Sequence, residues 1–466
     1  MFLLDVGGSY LSGEATMSYT ADNDVGAKSD VSFSVDKFVT VYIAPTLALS
    51  DTSSLYVKVG LTEADIAVLN TCVVRQSAED RAYGWLHRVC ELKRNVRPEL
   101  TIGLMGCLVG VKGNKIIAST FPDVDVFLPP SDPEPLLNLV EQQHSIQYSE
   151  LDNVSRRHAF QDGELMLPAE DCGNMIASYV PVVYGCSHAC TFCIIPFRRG
   201  RQASRPIPEI VREVQLMAAR GMREVTLLGQ TVDAYGHDLE GSCDLSDLLQ
   251  EVSKIPDILR LRFLTSHPIF MTDRIIGSIK DIDKVCEHIN LPIQAADDQI
   301  LAHMRRRYSK DDYMRLIDRI RCVIPDVSLA TDVIVGFPGE TRAQFQRTLD
   351  IVREVEFHKV HVATYSPRIG TYAERNLIDN VSKEEKLFRL HMLEEVQKDI
   401  LSRNNSRLVG DKLEVLVDGS KKGKWRGRTR SDKLVFFSDH RDLLGELVQV
   451  QIDSASPWAL QGLAVN

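Results

Sequence analysis

Three cysteines carry the strongest chemical signal in the chain. Cys186-Ser-His-Ala-Cys190-Thr-Phe-Cys193 spaces its thiols as C-x3-C-x2-C. Three thiolates on one loop can hold three irons of a [4Fe–4S] cluster. The fourth iron then has no protein ligand and is open to a small molecule. A structural zinc loop is the competing reading. Zinc normally takes four ligands from paired C-x2-C modules, and His188 sits awkwardly inside the three-residue gap. The chain has ten cysteines and begins MFLLDVGGSYLSGE, without the basic stretch and unbroken apolar run of a secretory signal. Clustered cysteine in such a chain points to a reducing cytoplasm, and to metal rather than disulfides.

The elements that must position these thiols follow from pattern. The length of 466 residues suggests about three domains. Residues 1–37 are polar and acidic without helical or strand period, which reads as a disordered leader. From Lys37 the texture changes. FVTVYIA reads as a strand, as do Ile66–Asn70 and Leu100–Cys107, with helical spacing over Val73–Lys93 between the last two. This alternation predicts an open parallel α/β domain over 38–150. Cys72 and Cys107 fall just past strand carboxyl ends, where open α/β sheets place their sites. The polar stretch 130–177 reads as a connection. Six strand-like runs follow at Tyr179–Tyr184, Val225–Leu228, Leu261–Leu264, His288–Leu291, Leu329–Val335 and Lys359–Tyr365. With helical stretches between them they predict an incomplete TIM-type (β/α)6 barrel over 172–403, with chemistry at the strand carboxyl ends. Residues 404–466 switch to short strands, KLEVLVDG, KLVFF and LVQVQI, and predict a small β-barrel of oligonucleotide-binding size. The class is therefore α/β with a C-terminal β-barrel. No run of eighteen apolar residues occurs, so no membrane span is expected. With a net charge of −10, any nucleic-acid contact must come from local patches.

The match to a known family extends well beyond the triplet. The triplet itself is similar to that of radical S-adenosylmethionine (SAM) enzymes. Cys190–Arg205, Leu227-Leu-Gly-Gln-Thr-Val-Asp-Ala-Tyr-Gly236, Arg262-Phe-Leu-Thr-Ser-His-Pro268, Leu291-Pro-Ile-Gln294, Met304-Arg-Arg-Arg-Tyr308, Thr331–Thr341 and Tyr365–Thr371 resemble the radical SAM methylthiotransferases. The MiaB-type branch, which methylthiolates C2 of isopentenyladenosine at position 37 of tRNA, fits best. The resemblance covers about 64–466 and implies three parts: a methylthiotransferase domain, a radical SAM barrel and a TRAM domain. It implies that Cys186, Cys190 and Cys193 bind the radical cluster, that SAM chelates its open iron, and that one electron cleaves SAM to a carbon radical. A radical is needed because C2 of adenine is neither acidic nor nucleophilic. The cofactor does the hard chemistry while protein groups orient and shield it. The family's N-terminal domain supplies three cysteines to a second [4Fe–4S] cluster that carries the sulfur. Cys72, in Asn70-Thr-Cys72, matches the second of these and Cys107 the third. The first is missing: no cysteine precedes Cys72, and with Ser50-Asp51-Thr52 as anchor Pro45 stands in its place. Cys90 lies at helical spacing among apolar residues and reads as a buried free thiol.

Within this frame Gly229 and Gln230, Ser266 (beside His267), Gln294 and Val335 are candidates for SAM contact, each explicable also as a turn or a buried strand. Arg198, Arg199, Arg201 and Arg205 form a basic loop after the triplet that suits phosphates or the SAM carboxylate. Arg305, Arg306 and Arg307 are weaker, since a solvent-facing helix would account for them. Lys424, Arg426, Arg428 and Arg430, with Lys421 and Lys433, form a dense basic cluster interleaved with Trp425, Phe436 and Phe437, suited to RNA. Phe436 and Phe437 cannot both face the core of one strand. The partners implied are tRNA and an electron donor such as flavodoxin or ferredoxin, with no membrane, and a cytoplasmic monomer is expected. Alternatives are methylthiotransfer to threonylcarbamoyl-adenosine or to a ribosomal-protein aspartate. Another is a degenerate, non-catalytic tRNA-binding iron–sulfur protein without the second cluster.

Overall fold

The structure is a computed structural model. It describes 66–71, 76–113, 115–130, 134–143 and 175–465, and as backbone the strands within 3–46. The chain divides into two compact units, Met1–Cys172 with Ile194–Gly200, and Gly173–Cys193 with Arg201–Asn466.

The first unit is built on a five-stranded sheet in the order Gly8–Tyr10, Phe38–Tyr42, Ile66–Thr71, Thr101–Gly106, Val126–Leu128. All neighbours are parallel except the first pair. Strands buried on both faces need continuous apolar runs, and Ile66–Leu69 and Ile102–Leu104 supply them. The helix Gln76–Asn95 buries Ala82, Trp85, Leu86, Val89 and Cys90 against the sheet. Cys90 is thus the buried thiol its spacing suggested. Residues 1–37, expected as a leader, contain strands. That segment carries the strands Ala15–Asp22 and Lys28–Val35 as an antiparallel pair, with Met17 opposite Phe33 and Tyr19 opposite Val31. The sequence SDVSFSV alternates apolar and polar residues, a pattern that suits a strand. Likewise Glu134–Gln143, inside the expected connection, is a helix.

In the second unit the six expected strands form two parallel three-stranded sheets. Ala177–Pro181, Glu224–Leu228 and Arg260–Phe263 make one, and His288–Asn290, Ser328–Val335 and Lys359–Thr364 the other. A parallel bridge from Leu261 to Val285 joins them. Capping boxes at Asp244, Ser309 and Thr341 start three of the intervening helices, each side chain accepting an otherwise unpaired N–H. The first strand is shorter than expected. Val183–Tyr184 leaves it to pair antiparallel with Ala203–Ser204.

The last five strands, Lys412–Lys421, Lys424–Thr429, Leu434–Ser438, Leu447–Ala455 and Leu460–Ala464, close a barrel. Its core is Val415, Val417, Val435, Phe437, Val450, Ile452 and Leu460. Phe437 faces inward and Phe436 is half-buried, as alternation requires. This barrel docks on the amino-terminal ends of the larger barrel's strands. Arg260 donates to the carbonyl of Arg428 and to Glu414, and Arg262 to the carbonyls of Thr429 and Arg430. Ser328 donates to the carbonyl of Ser431. Among the described residues no helix is long and apolar enough to cross a membrane.

Candidate functional site

The cysteine loop leaves the first barrel strand at its carboxyl end, where parallel barrels place their chemistry. Cys186 is buried, and Cys190 and Cys193 are half-buried. Thr191 pins the loop. Its N–H donates to the carbonyl of Met304 at 3.2 Å, its hydroxyl to that of His303 at 2.8 Å, and its own carbonyl accepts from Ala373 N–H at 2.8 Å. The Cys186 thiol accepts from the His188 N–H at 3.5 Å and lies 3.8 Å from the Thr231 hydroxyl. Burial pushes this thiol up, and those two hydrogen bonds pull against it.

A buried cation stands beside the loop. Arg306, 9% exposed, points Nη1 at Cys190 Sγ from 3.5 Å. Its other nitrogens donate to the Tyr308 hydroxyl and the Pro292 carbonyl. The expectation of a solvent-facing helical run therefore needs correction. The helix Asp298–His303 ends before these arginines, because Arg305 takes a left-handed φ of 56° and turns the chain. Arg306 then enters the site, while Arg305 and Arg307 stay exposed.

A stack of rings walls the other side. His188 lies on His267, centroids 4.5 Å apart and 11° from parallel, and Phe270 meets both. Burial and the nearby Arg306 charge hold both histidines below the ordinary range, so neutral rings stack. Asp233 Oδ2 accepts the backbone N–H of His267 at 2.7 Å, and the His267 ring accepts the Ile269 N–H at Nδ1, 3.3 Å away. Asp233 is buried, and that burial pushes its carboxyl well up.

The SAM candidates fall on the same carboxyl-end rim. Gly229 and Gln230 follow the second strand. A Cβ on Gly229 would lie 3.0 Å from Val183 Cβ and 3.2 Å from its carbonyl oxygen, so a side chain there would have to push its neighbours aside. Ser266 follows the third strand, buried, its N–H donating to the Asn290 carbonyl. Gln294 has a φ of 69° and bridges to Val333 through its backbone. Val335 ends the fifth strand fully buried.

The donor set fits an iron–sulfur cluster and SAM. Three thiols share one loop beside a cation. Asp233 Oδ1 and Ser266 Oγ are buried there without a hydrogen-bond partner among the described residues, an arrangement that asks for a ligand group or water. Among the described residues no three or more Cys, His, Asp or Glu side chains are arranged around a single metal ion. A cluster assigns each thiolate its own iron, so its sulfurs need not converge.

In the first unit, Thr71 and Gly106 are partners in the parallel register. Cys107 comes next on one strand, and Cys72, outside the described residues, comes next on the other. The Cys107 N–H donates to the Thr71 carbonyl at 3.0 Å. Its buried thiol accepts from Arg199 Nε at 2.8 Å. Pro45 lies in the short strand Ala44–Thr46.

The basic candidates separate sharply. Arg198 and Arg199 sit in the helix Ile195–Arg199, which packs with the first unit, Val111 N–H donating to the Arg198 carbonyl. Arg201 is exposed. Arg205 requires correction as a phosphate contact. It is 6% exposed and donates to Glu213 at 2.6 Å and to the Pro181 carbonyl at 2.8 Å. Arg428 and Arg430 require it too. Arg428 donates to Asp432 within the small barrel, and Arg430 donates to Glu287 and the carbonyls of Asp283 and Val285 across the junction. Arg426 pairs with Asp418, while Lys424 is exposed and reaches Gln461. Trp425 is half-buried, its indole N–H donating to the Arg441 carbonyl. Sequence reasoning missed Asp233, Arg306 and Tyr308 as site residues, although each lies inside a run that carried the family resemblance.

Residues 180–352 match the radical SAM superfamily, 49–129 the uncharacterized protein family UPF0004, and 406–465 the TRAM domain. The chain is 46% identical over 405 residues to the tRNA-2-methylthio-N(6)-dimethylallyladenosine synthase of Roseiflexus sp. (strain RS-1), covering 86% of this chain and 82% of that one. It is 44% identical over 405 residues to the protein of the same name from Chloroflexus aurantiacus, covering 86% and 84%. The Herpetosiphon aurantiacus protein of that name is 44% identical over 404 residues, covering 86% and 89%. Among solved structures, the radical SAM methyltransferase TsrM of Kitasatospora setae matches with a TM-score of 0.49 at 11% identity, over 78% of this chain and 70% of that one. With such identity sustained through all three parts, the chain belongs to the radical SAM methylthiotransferases, in the family of the tRNA-2-methylthio-N(6)-dimethylallyladenosine synthases.

Proposed function

We propose that the chain is an enzyme that adds a methylthio group to C2 of N6-dimethylallyladenosine in tRNA. The observation that carries this reading is the Cys186–Cys193 loop at the carboxyl end of a six-stranded parallel barrel, with Arg306 on Cys190. Cys186, Cys190 and Cys193 hold the cluster. When bound, cluster and SAM together supply one-electron reductive cleavage, giving a carbon radical able to take hydrogen from an unreactive C–H. The chain's own residues do the rest. Thr191 fixes the loop from two sides. Arg306 places positive charge on a cluster ligand. The His188–His267–Phe270 stack excludes water, and Asp233 fixes the backbone at His267.

A second cluster on Cys72 and Cys107 is supported by the pairing of Thr71 with Gly106, the residues that precede them in the sequence, and by the Arg199 guanidinium on Cys107. Residues 1–71 hold no cysteine, so within this sequence a third ligand must come from another residue type, from the chain beyond Cys72, or from outside the protein. A flavodoxin or ferredoxin electron donor, a monomeric state and a cytoplasmic location complete the proposal.

The test is iron per chain after anaerobic reconstitution, read beside the modified nucleoside in tRNA of a host lacking its own enzyme. About eight irons mean two clusters, and methylthiolated nucleoside then appears. About four, lost in a Cys186→Ala, Cys190→Ala, Cys193→Ala variant, with no methylthiolated product, would leave a SAM-cleaving tRNA-binding protein without a sulfur donor.

A further inference from the structure

At the mouth of the radical SAM barrel an exposed cation lies on an exposed ring. The guanidinium carbon of Arg305 is 4.1 Å from the Tyr372 ring centroid. Arg305 reaches it from a left-handed backbone, φ 56°, a conformation disfavoured for any residue with a Cβ. Tyr372 remains 44% exposed and Ile369, on the turn before it, 84%. The turn is closed by Thr371 N–H to the Arg368 carbonyl at 3.0 Å.

Both halves of the pair are tied to the cysteine loop. Thr191, next to Cys190, bonds through its backbone to Met304, which precedes Arg305, and to Ala373, which follows Tyr372. Arg307, also exposed, follows Arg306 in the chain. The mouth therefore presents a ring, two cations and an isoleucine to solvent, directly beside the radical cluster's ligands.

That combination matches unpaired nucleotides. A ring offers every base a stacking face, and guanidinium groups meet phosphates or cap the stack. A chain of net charge −10 repels RNA at long range, so the cations at the mouth must act locally. Arg428 and Arg430 do not substitute for them. They face the amino-terminal ends of the strands, the opposite end of the barrel, and are occupied there. We infer that Arg305 and Tyr372, with Ile369 beside them, form the platform that holds the unpaired nucleotides flanking the target adenosine. The inference rests on the tRNA reading above and adds the residues that would grip the loop.

The test uses the full reconstituted chain and a stem–loop RNA carrying N6-dimethylallyladenosine in its loop, with binding followed by fluorescence anisotropy over a range of salt. Tyr372→Ala weakens binding roughly ten- to a hundredfold, the range one base–aromatic stack accounts for. Tyr372→Phe keeps it, because the ring persists. Arg305→Gln lowers the slope of log K against log salt by about 0.7 to 0.9, one phosphate contact. Iron content and melting temperature show that each variant is folded, and should Tyr372→Ala fail to fold, Tyr372→Leu replaces it. Unchanged affinity in the Tyr372 variants and unchanged slope in Arg305→Gln overturn the platform while the wild type still binds. A wild-type chain that ignores the RNA sinks the tRNA reading and the platform together.

Discussion

Replacing Arg306 by glutamine keeps a hydrogen-bond donor near Cys190 and removes the charge. The cation lies 3.5 Å from Cys190 Sγ, and at an effective dielectric near 20 two unit charges at that distance interact by about 5 kcal/mol. The electron that reduces a cluster spreads over all its irons and sulfurs, so its mean distance from Arg306 is roughly double. About 2 kcal/mol is then the differential effect on the reduced state, between one and two decades in the equilibrium, at 59 mV per decade for one electron. The sign is fixed. A cation favours the more negative, reduced cluster, so Arg306→Gln moves the midpoint potential down by roughly 60 to 120 mV. The assay is a redox titration followed by electron paramagnetic resonance, in a Cys72→Ala, Cys107→Ala background that leaves one cluster to observe. Arg306→Lys keeps the charge but loses the fork that also serves Tyr308 and Pro292, and should shift the potential much less. An unshifted potential in Arg306→Gln with full iron content would refute the electrostatic argument, as would an equal shift in Arg306→Lys.

Arg262 and Glu224 form a pair 4% and 7% exposed at 3.1 Å, so Arg262→Gln strands a buried carboxylate and should cost about 3–5 kcal/mol, read as a fall in denaturant midpoint. Gly106 has a φ of +97°, and a Cβ there would meet the Thr71 carbonyl at 2.5 Å. Gly106→Ala should therefore destabilise the first unit by about 1–3 kcal/mol, visible as a lower melting temperature, and spread the strand ends that carry Cys72 and Cys107. Burial lowers the Lys359 ammonium from its ordinary 10.5 to about 8. Between those values the unfolded chain binds more protons than the folded one, so stability rises as pH rises from 8 to 10.5; Lys359→Met should flatten part of that rise in chemical denaturation. Lys421, Lys422 and Lys424 lie exposed at a hairpin tip pointing away from the barrel junction, and changing all three to Gln should lower RNA affinity and its salt slope with little change in melting temperature.

The order of strands and the place of the cysteine loop were legible in the sequence because both rest on local signals. Period-two and period-3.6 patterns give elements, and three thiols within eight residues give a site. Two strands of the small barrel were not read. Lys424–Thr429 is filled with cations, and Leu460–Ala464 has glycine at its centre, so neither shows an apolar alternation. Arg306 was misplaced for a different reason. Three consecutive arginines after a helix look like its continuation, and only the left-handed turn at Arg305 sends the middle one inward. Asp233 could be quoted within a motif, but its burial depends on Val232 donating to the Thr265 carbonyl and His267 donating to its own carboxylate, contacts more than thirty residues apart.

The arginines teach the larger point. A basic run in a sequence is a count of charges, whereas an RNA site needs charges left over after the protein's own acids and carbonyls are served. Arg205 and Arg428 meet Glu213 and Asp432 a few residues along the chain, and Arg430 meets Glu287 across a long sequence separation. The first holds the cysteine loop's return segment, the second braces the small barrel's own hairpin and the third docks that barrel, so they serve the fold that positions the chemistry. Arg305 and Arg307 look less distinguished in the sequence, yet the fold sets them at the open end of the barrel. The small barrel docks at the amino-terminal ends of the strands, so an RNA that touched both the mouth and the lysine hairpin would have to run along the barrel's length. In that arrangement affinity and reaction are separable. The lysines supply charge at a distance, while the mouth decides whether the target carbon faces the radical.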